Sequence, residues 1–192
     1  LAREYSITRE EADAFSVRSH DKALAAIANG KFKEDIVPVE VEETYLDEKG
    51  KKKTRKYIVD TDEGPRAGTT MEALAALKPA FKNGGQVTAG NSSQTSDGAA
   101  FVVVMSERLM KSLGLDPVAR LMSYSVAGVD PRIMGIGPKE AVPKALKQAG
   151  LTLNDIDLVE LNEAFAAQGL AVMKSLDMNP DIVNVNGGAV AL

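Results

Sequence analysis

Apolar runs that break off into small, polar turns recur through the second half of the sequence and limit the folds open to it. Ala99–Met105 is a continuous apolar run with three adjacent valines, as expected of a strand buried on both faces. Val118–Val126, Leu158–Leu161 and Ile182–Val185 are further strand candidates. Helix signals fall between them. Ser106 can cap a helix that runs through Leu113 and closes at Gly114. Gly137-Pro138 places proline in the first turn of a helix that ends at Gly150. The alanine-rich stretch 163–176 reads as another helix. Strands alternating with helices predict a layered α/β fold with a mainly parallel sheet.

Residues 1–90 lack that rhythm, which predicts a boundary near 93. Thr8 and Glu11 form a capping box for a first helix, and Asn29-Gly30 supplies its left-handed end. Ala12, Phe15, Ser16, Ala23, Ala26 and Ile27 share one face of that helix. His20 lies among Ser19, Asp21 and Lys22 and reads as a solvated or half-buried histidine rather than a catalytic base. Residues 36–60 read as a β-hairpin with a turn at Asp47-Glu48-Lys49-Gly50, and Pro38 suggests an edge strand. The basic run Lys49, Lys51, Lys52, Lys53, Arg55 and Lys56 reads as the hairpin's solvated tip rather than a phosphate-steering patch. A loop, 62–68, leads to a short helix from Thr69 or Thr70, with Leu74 and Leu77 inward and an end near Lys78, before Pro79.

Composition narrows the function classes. The chain has 192 residues, a formal net charge of −4, one histidine and no cysteine. Mild acidity disfavours a general nucleic-acid binder. No run approaches the roughly 18 apolar residues of a membrane helix. Disulfides, a Cys/His metal site and a cysteine nucleophile are excluded within these residues. Leu1 is not a start methionine, and nothing near it resembles a signal peptide. At the other end a strand runs into Asn186-Gly187-Gly188, a turn that normally leads onward. The sequence therefore reads as an internal piece of a longer protein.

Three turns carry candidate chemistry. Val87-Thr88-Ala89-Gly90-Asn91-Ser92-Ser93-Gln94 has side chains small enough for a ligand to approach the backbone, although an ordinary polar loop has the same composition. In Glu160-Leu161-Asn162-Glu163-Ala164-Phe165, Asn162 lies at the C-terminal end of a strand, where open α/β sheets place ligands. Its amide could hold a water or donate to an oxyanion. A capped helix start reads the same way. Asn184-Val185-Asn186-Gly187-Gly188-Ala189 fits a tight turn, and no Gly-Lys-Ser/Thr follows to make it a phosphate loop. Met134-Gly135-Ile136-Gly137-Pro138 is not a complete dinucleotide fingerprint.

Taken in order, Val87–Asn91, Gly128-Val129-Asp130-Pro131 with Met134–Pro138, Glu160–Phe165 and Asn184–Ala189 resemble the signatures of the thiolase family, the acyl-CoA acetyltransferases. The resemblance runs from about Tyr5 to Leu192. It implies a partial thiolase fold of the α/β class. Residues 1–93 would be the insertion that covers coenzyme A. Residues 94–118 would be the last strand and helix of the N-terminal half, and 119–192 the truncated start of the C-terminal half.

The resemblance also implies thiolytic cleavage of a 3-ketoacyl-CoA to acetyl-CoA and a shortened acyl-CoA, or the reverse Claisen condensation, as in fatty-acid β-oxidation. Asn162 matches the residue that positions a water in an oxyanion hole. Glu163, Ala164 and Phe165 would line the reaction pocket. Ser93 and Ala89 would meet the pantetheine arm of coenzyme A, Phe81 its pantetheine or adenine side, and Arg66 its nucleotide part. The family's two catalytic cysteines and its catalytic histidine match no residue here, so these residues alone are expected to be inactive. Coenzyme A would be a substrate, with no separate cofactor or metal. A cytoplasmic homodimer or homotetramer is expected of the parent, with no nucleic-acid partner and no membrane span. The rival expectation is a catalytically inactive, thiolase-like binder of acyl-CoA or lipid. A blander one is a generic α/β domain that binds a nucleotide through Arg66 and the basic hairpin.

Overall fold

The computed structural model describes residues 1–192. They form two compact units. One joins Leu1–Gln94 to Leu158–Leu192, and the other is Thr95–Asp157.

In the first unit, helix α1 (Arg9–Ala28) begins at the predicted capping box. The Thr8 hydroxyl accepts from the Glu11 amide at 3.1 Å, and the Glu11 carboxylate accepts from the Thr8 amide at 2.8 Å. Gly30, at φ +68°, closes the helix. Its buried face carries the predicted Ala12, Phe15, Ser16, Ala23 and Ala26, but also Asp13, Ser19 and His20. A polar group on a buried face must find a partner, and each of these three does, as described below.

Strands β1 (Val39–Leu46) and β2 (Lys52–Val59) form the predicted antiparallel hairpin. The Asp47 carboxylate accepts from the amides of Lys49 and Lys51, both at 2.9 Å, and Gly50 takes φ +71°. The basic residues of β2 face acidic ones of β1. Arg55 pairs with Glu43 at 2.6 Å, and Lys56 with Glu42 at 3.1 Å. The hairpin's positive charge is thus largely answered within the hairpin.

Helix α2 (Met71–Ala75) is capped by Thr70 and ends earlier than Lys78. The Arg9 guanidinium donates to the carbonyls of Leu74 at 2.6 Å and Leu77 at 3.2 Å at the helix end, where the Leu74 carbonyl also accepts from the Leu77 amide at 3.0 Å. Leu74 is buried as expected, whereas Leu77 is partly exposed.

Helix α5 (Ala166–Leu176) packs on α1 and starts later than residue 163, because Glu163 and Ala164 are drawn into other contacts. Gly169 allows this packing. A Cβ there would lie 3.1 Å from the Phe15 ring.

The predicted strands fare differently. Leu158–Leu161 and Ile182–Val185 meet in a single parallel rung, Val159 opposite Val183. In the second unit, Ala99–Met105 and Val118–Val126 are not strands. A strand exists through its ladder, and these runs have no hydrogen-bonded neighbour. Helices α3 (Glu107–Leu113) and α4 (Gly137–Ala149) form where predicted, ended by Gly114 and Gly150 in left-handed conformation. A 3-10 turn over Pro131–Ile136, capped by the Asp130 carboxylate, precedes α4. Ile136 is the sole buried residue of Thr95–Asp157.

Candidate functional site

The three turns singled out in the sequence converge within the first unit. The amide of Ser93 donates to the carbonyl of Ala164 at 3.0 Å, and the amide of Ala166 donates to Asn91 at 2.9 Å. Ser92 and Phe165 form an antiparallel bridge between these bonds. Gln94 joins the third turn. Its amide donates to Ala189 at 3.3 Å and its side chain to the carbonyl of Ala191 at 2.7 Å.

Each turn is held from behind by α1. Asp13 is 1% exposed, and its carboxylate binds on two sides. Arg9 Nε donates to Oδ2 at 2.7 Å, and Asn91 Nδ2 donates to Oδ1 at 3.0 Å. Asn91 also donates to Gln86 O at 3.0 Å and accepts from the Thr88 amide at 2.9 Å. The first turn is thus wound around one asparagine. Its glycine is fixed by packing, since a Cβ on Gly90 would lie 2.5 Å from Leu74 Cδ2 and 2.7 Å from Leu77 Cδ1.

The other two turns are joined by Asn184, at φ +47°. The amide of Asn184 donates to Val159 O at 2.9 Å. Its side chain then adds a rung that the backbone cannot, accepting from the Leu161 amide at 2.7 Å and donating to the Leu161 carbonyl at 2.8 Å. Asn184 Nδ2 also reaches Glu163 Oε1 at 2.8 Å. Glu163 Oε2 accepts from Ser19 Oγ at 2.7 Å and from the Val190 amide at 3.2 Å.

Glu163 is therefore 2% exposed and occupied by protein donors. It faces the interior rather than an open pocket. Ser19 Oγ accepts in turn from the Gly188 amide at 3.1 Å. Both glycines of the third turn are required by space. A Cβ on Gly188 would collide with the Glu163 carboxylate, and one on Gly187 would lie 2.7 Å from Ala23 Cβ.

Asn162 sits between the locked residues Leu161 and Glu163, is itself exposed, and its amide makes no hydrogen bond within the chain. Ala89 and Ser93 are exposed on the first turn, Ala164 is half-buried, and Phe165 is 39% exposed. These residues share one neighbourhood. Phe81 is 78% exposed and follows Ala80, whose amide donates to Val87 O at 2.8 Å. Arg66 is exposed on the loop after the hairpin. That loop meets the cluster at Gly64, where a Cβ would lie 2.5 Å from both Ala191 O and Gln94 Nε2. It meets α1 where the Arg66 amide donates to His20 Nδ1 at 3.1 Å.

Burial shifts His20, Lys22 and Glu160 in this region. Burial, then the nearby Arg66 charge, holds His20 below its usual value. Lys22, which donates to Val183 O at 2.8 Å, is lowered by burial and by Arg18. Glu160 is raised by burial and by the Glu163 carboxylate. His20 is buried rather than solvated or half-buried, because α1 turns it inward and its Nδ1 accepts from the Arg66 amide. The residues that sequence reasoning passed over are Asp13, Ser19 and Asn184. For Asp13 and Ser19 the available signal was polarity on the inner face of α1, at positions where apolar spacing alone would place hydrophobic residues.

Residues 1–108 match the family model described as "Thiolase, N-terminal domain", and residues 115–192 match "Thiolase, C-terminal domain". The chain is 53% identical over 192 residues to a 3-ketoacyl-CoA thiolase of Bacillus subtilis (strain 168), covering 100% of this chain and 49% of that protein. It is 52% identical over 192 residues to the peroxisomal 3-ketoacyl-CoA thiolase B of Rattus norvegicus, covering 100% of this chain and 44% of that protein. Among solved structures, the acetyl-CoA acetyltransferase of Bacillus anthracis superposes with a TM-score of 0.92 at 50% identity, covering 100% of this chain and 46% of that one. Human mitochondrial 3-ketoacyl-CoA thiolase in complex with CoA gives a TM-score of 0.89 at 44% identity, covering 100% of this chain and 45% of that one. The chain spans about half the length of the relatives it matches.

Proposed function

The chain belongs to the thiolase family, and from that premise we propose that it is part of an acyl-CoA acyltransferase that cleaves a 3-ketoacyl-CoA with coenzyme A, or runs the reverse condensation. Its architecture is a partial thiolase fold, which superposes on thiolases over its whole length. The observation that carries the proposal is the convergence of the three turns around Asn162, whose exposed amide has no partner within the chain. A free amide held on a rigid backbone can donate to a water or to the oxygen that gains charge as an acyl group is attacked. The nucleophile is not among these residues, since the sequence has no cysteine.

The acyl-CoA would lie along the exposed side of the first turn, where the small residues Ala89 and Ser93 leave the backbone open to its pantetheine arm. Phe165 and Ala164 would face the reacting end. Arg66 would donate a charge-assisted hydrogen bond to a phosphate, and Phe81 would pack along the same arm. The intact Asn162-Glu163-Ala164-Phe165 favours an enzyme over an inactive binding module.

We further propose a cytoplasmic homo-oligomer. No helix is long and apolar enough to cross a membrane. The exposed apolar runs near residues 101–104 and 118–126 call for partners, from the rest of the polypeptide or from a second copy.

The test is Asn162→Ala in the complete thiolase polypeptide, assayed by thiolysis of a 3-ketoacyl-CoA. A fall in kcat of about a hundredfold with a modest change in KM is expected, the usual effect of losing one oxyanion donor. An unchanged kcat rejects the role of Asn162.

A further inference from the structure

The residues on either side of Asn162 are held by one buried hydrogen-bonded knot. Before it, Leu161 has both its amide and its carbonyl taken by the Asn184 side chain, at 2.7 and 2.8 Å. After it, Glu163 accepts from that same Asn184 amide, from Ser19 and from the Val190 backbone, at 2.8, 2.7 and 3.2 Å. Ser19 closes the knot by accepting from Gly188. Lys22 and His20 act on Glu163 through their charges but form no direct ion pair with it. A buried carboxylate is costly unless its hydrogen bonds are made, and here three donors converge on its two oxygens. The groups in this knot are fully engaged, while the amide of Asn162 between them is left free.

We propose that Glu163 is a positioning residue: with Ser19 and Asn184 it fixes the backbone on both sides of Asn162, so that the Asn162 amide is presented in one orientation to the reacting oxygen. This rests on the reading of Asn162 given above. It goes beyond the expectation that Glu163 lines the pocket, because the carboxylate faces α1 and acts through its neighbour. Glutamine is the informative replacement. It keeps the shape but offers one acceptor oxygen and one donor group where three donors arrive, so the amide would oppose at least one of them. Misplacing a catalytic group by a fraction of its hydrogen-bond length weakens the transition state more than it weakens substrate binding.

The experiment is a double-mutant cycle on the complete thiolase polypeptide, with kcat and KM for a 3-ketoacyl-CoA measured per folded protein. Glu163→Gln is expected to lower kcat about tenfold to a hundredfold and leave KM within about twofold. In an Asn162→Ala background the same substitution is expected to change kcat by less than about twofold, since a positioning residue has nothing left to position. A merely structural role would lower kcat by the same factor in both backgrounds, and that outcome overturns the proposal. An unchanged kcat for Glu163→Gln alone also overturns it. If Glu163→Gln does not fold, Ser19→Ala takes its place in the same cycle, with the same two outcomes read from it. A wild-type kcat for Asn162→Ala overturns the reading on which the proposal rests, and that single variant tells the two failures apart.

Discussion

Residues 182–191 and residues 99–105 are both rich in valine and small apolar side chains, yet they end in opposite surroundings. Val183 is 3% exposed and Val190 2%, whereas Val103 is 84% exposed and Val104 83%. Hydrophobicity does not separate them. The first stretch also carries Asn184, Gly187 and Gly188, which hold it to Leu161, to Glu163 and to α1. The second carries no polar side chain that fixes its backbone to anything. Burial of apolar surface drives collapse without direction. Here direction comes from a few polar side chains and glycines that accept only one neighbour.

Glycine substitutions break the comparison most sharply. Gly188→Ala would push a methyl into Glu163, a buried group that cannot yield without losing donors. A loss of about 3 kcal/mol is expected, from overpacking together with a damaged polar network. Gly128→Ala, in Thr95–Asp157, meets open space within 4 Å and should change stability by less than about 0.5 kcal/mol. Urea denaturation followed by circular dichroism measures both. Equal effects would show that the two regions are packed alike.

Ion pairs give a smaller contrast of the same kind. Asp13 is buried, pairs with Arg9 at 2.7 Å and also anchors Asn91. Asp13→Ala strands two donors, and a loss of about 2 kcal/mol is expected. Glu107 pairs with Lys111 at 2.6 Å, but both are well exposed. Glu107→Ala should cost below about 1 kcal/mol, and that cost should shrink in high salt. The same denaturation series, run at low and high salt, checks this. A salt-insensitive loss at Glu107 would contradict the exposed surroundings described for it.

The same contrast explains what the sequence made legible. Local signals were readable because they are closed within a few residues: the Thr8–Glu11 box, the Asp47–Gly50 turn, Ser106 with Gly114, and Gly150. The three turns were readable as small polar segments at strand ends, and the structure brings them together. Their convergence was not readable, because it depends on pairs such as Ser19 with Glu163 and Asp13 with Asn91, which lie far apart in sequence. The Ala99–Met105 strand failed for a related reason. Apolarity marks a segment that can be buried in a sheet, but a ladder partner is a property of another segment. Glu163 looked like a pocket residue from its place beside Asn162. Its inward orientation follows from the Asn184 amide and the missing Cβ of Gly188.

The smallest expected effect is a pH dependence confined to the first unit. His20 is buried, and its Nδ1 accepts from the Arg66 amide, so the folded chain holds the neutral ring with its lone pair at Nδ1. Burial and the Arg66 charge lower its pKa below 6.5, against the opposing pull of Asp21 and Glu163. A lowered histidine pKa means that the unfolded chain takes up the proton first as pH falls. Its stabilising contribution is therefore complete above pH 6.5 and is lost as the pH drops from there through the lower folded value. His20→Gln keeps an acceptor without the titration. The stability gap between wild type and this variant should narrow between about pH 8 and about pH 5. Asp130 of the other unit supplies the control. Its hydrogen bonds with Arg132 lower its pKa from 3.8, so it stays ionised over that range, and Asp130→Asn should give a flat difference. A flat difference for His20→Gln as well would mean that the histidine is solvated and that the Arg66 loop does not lean on it.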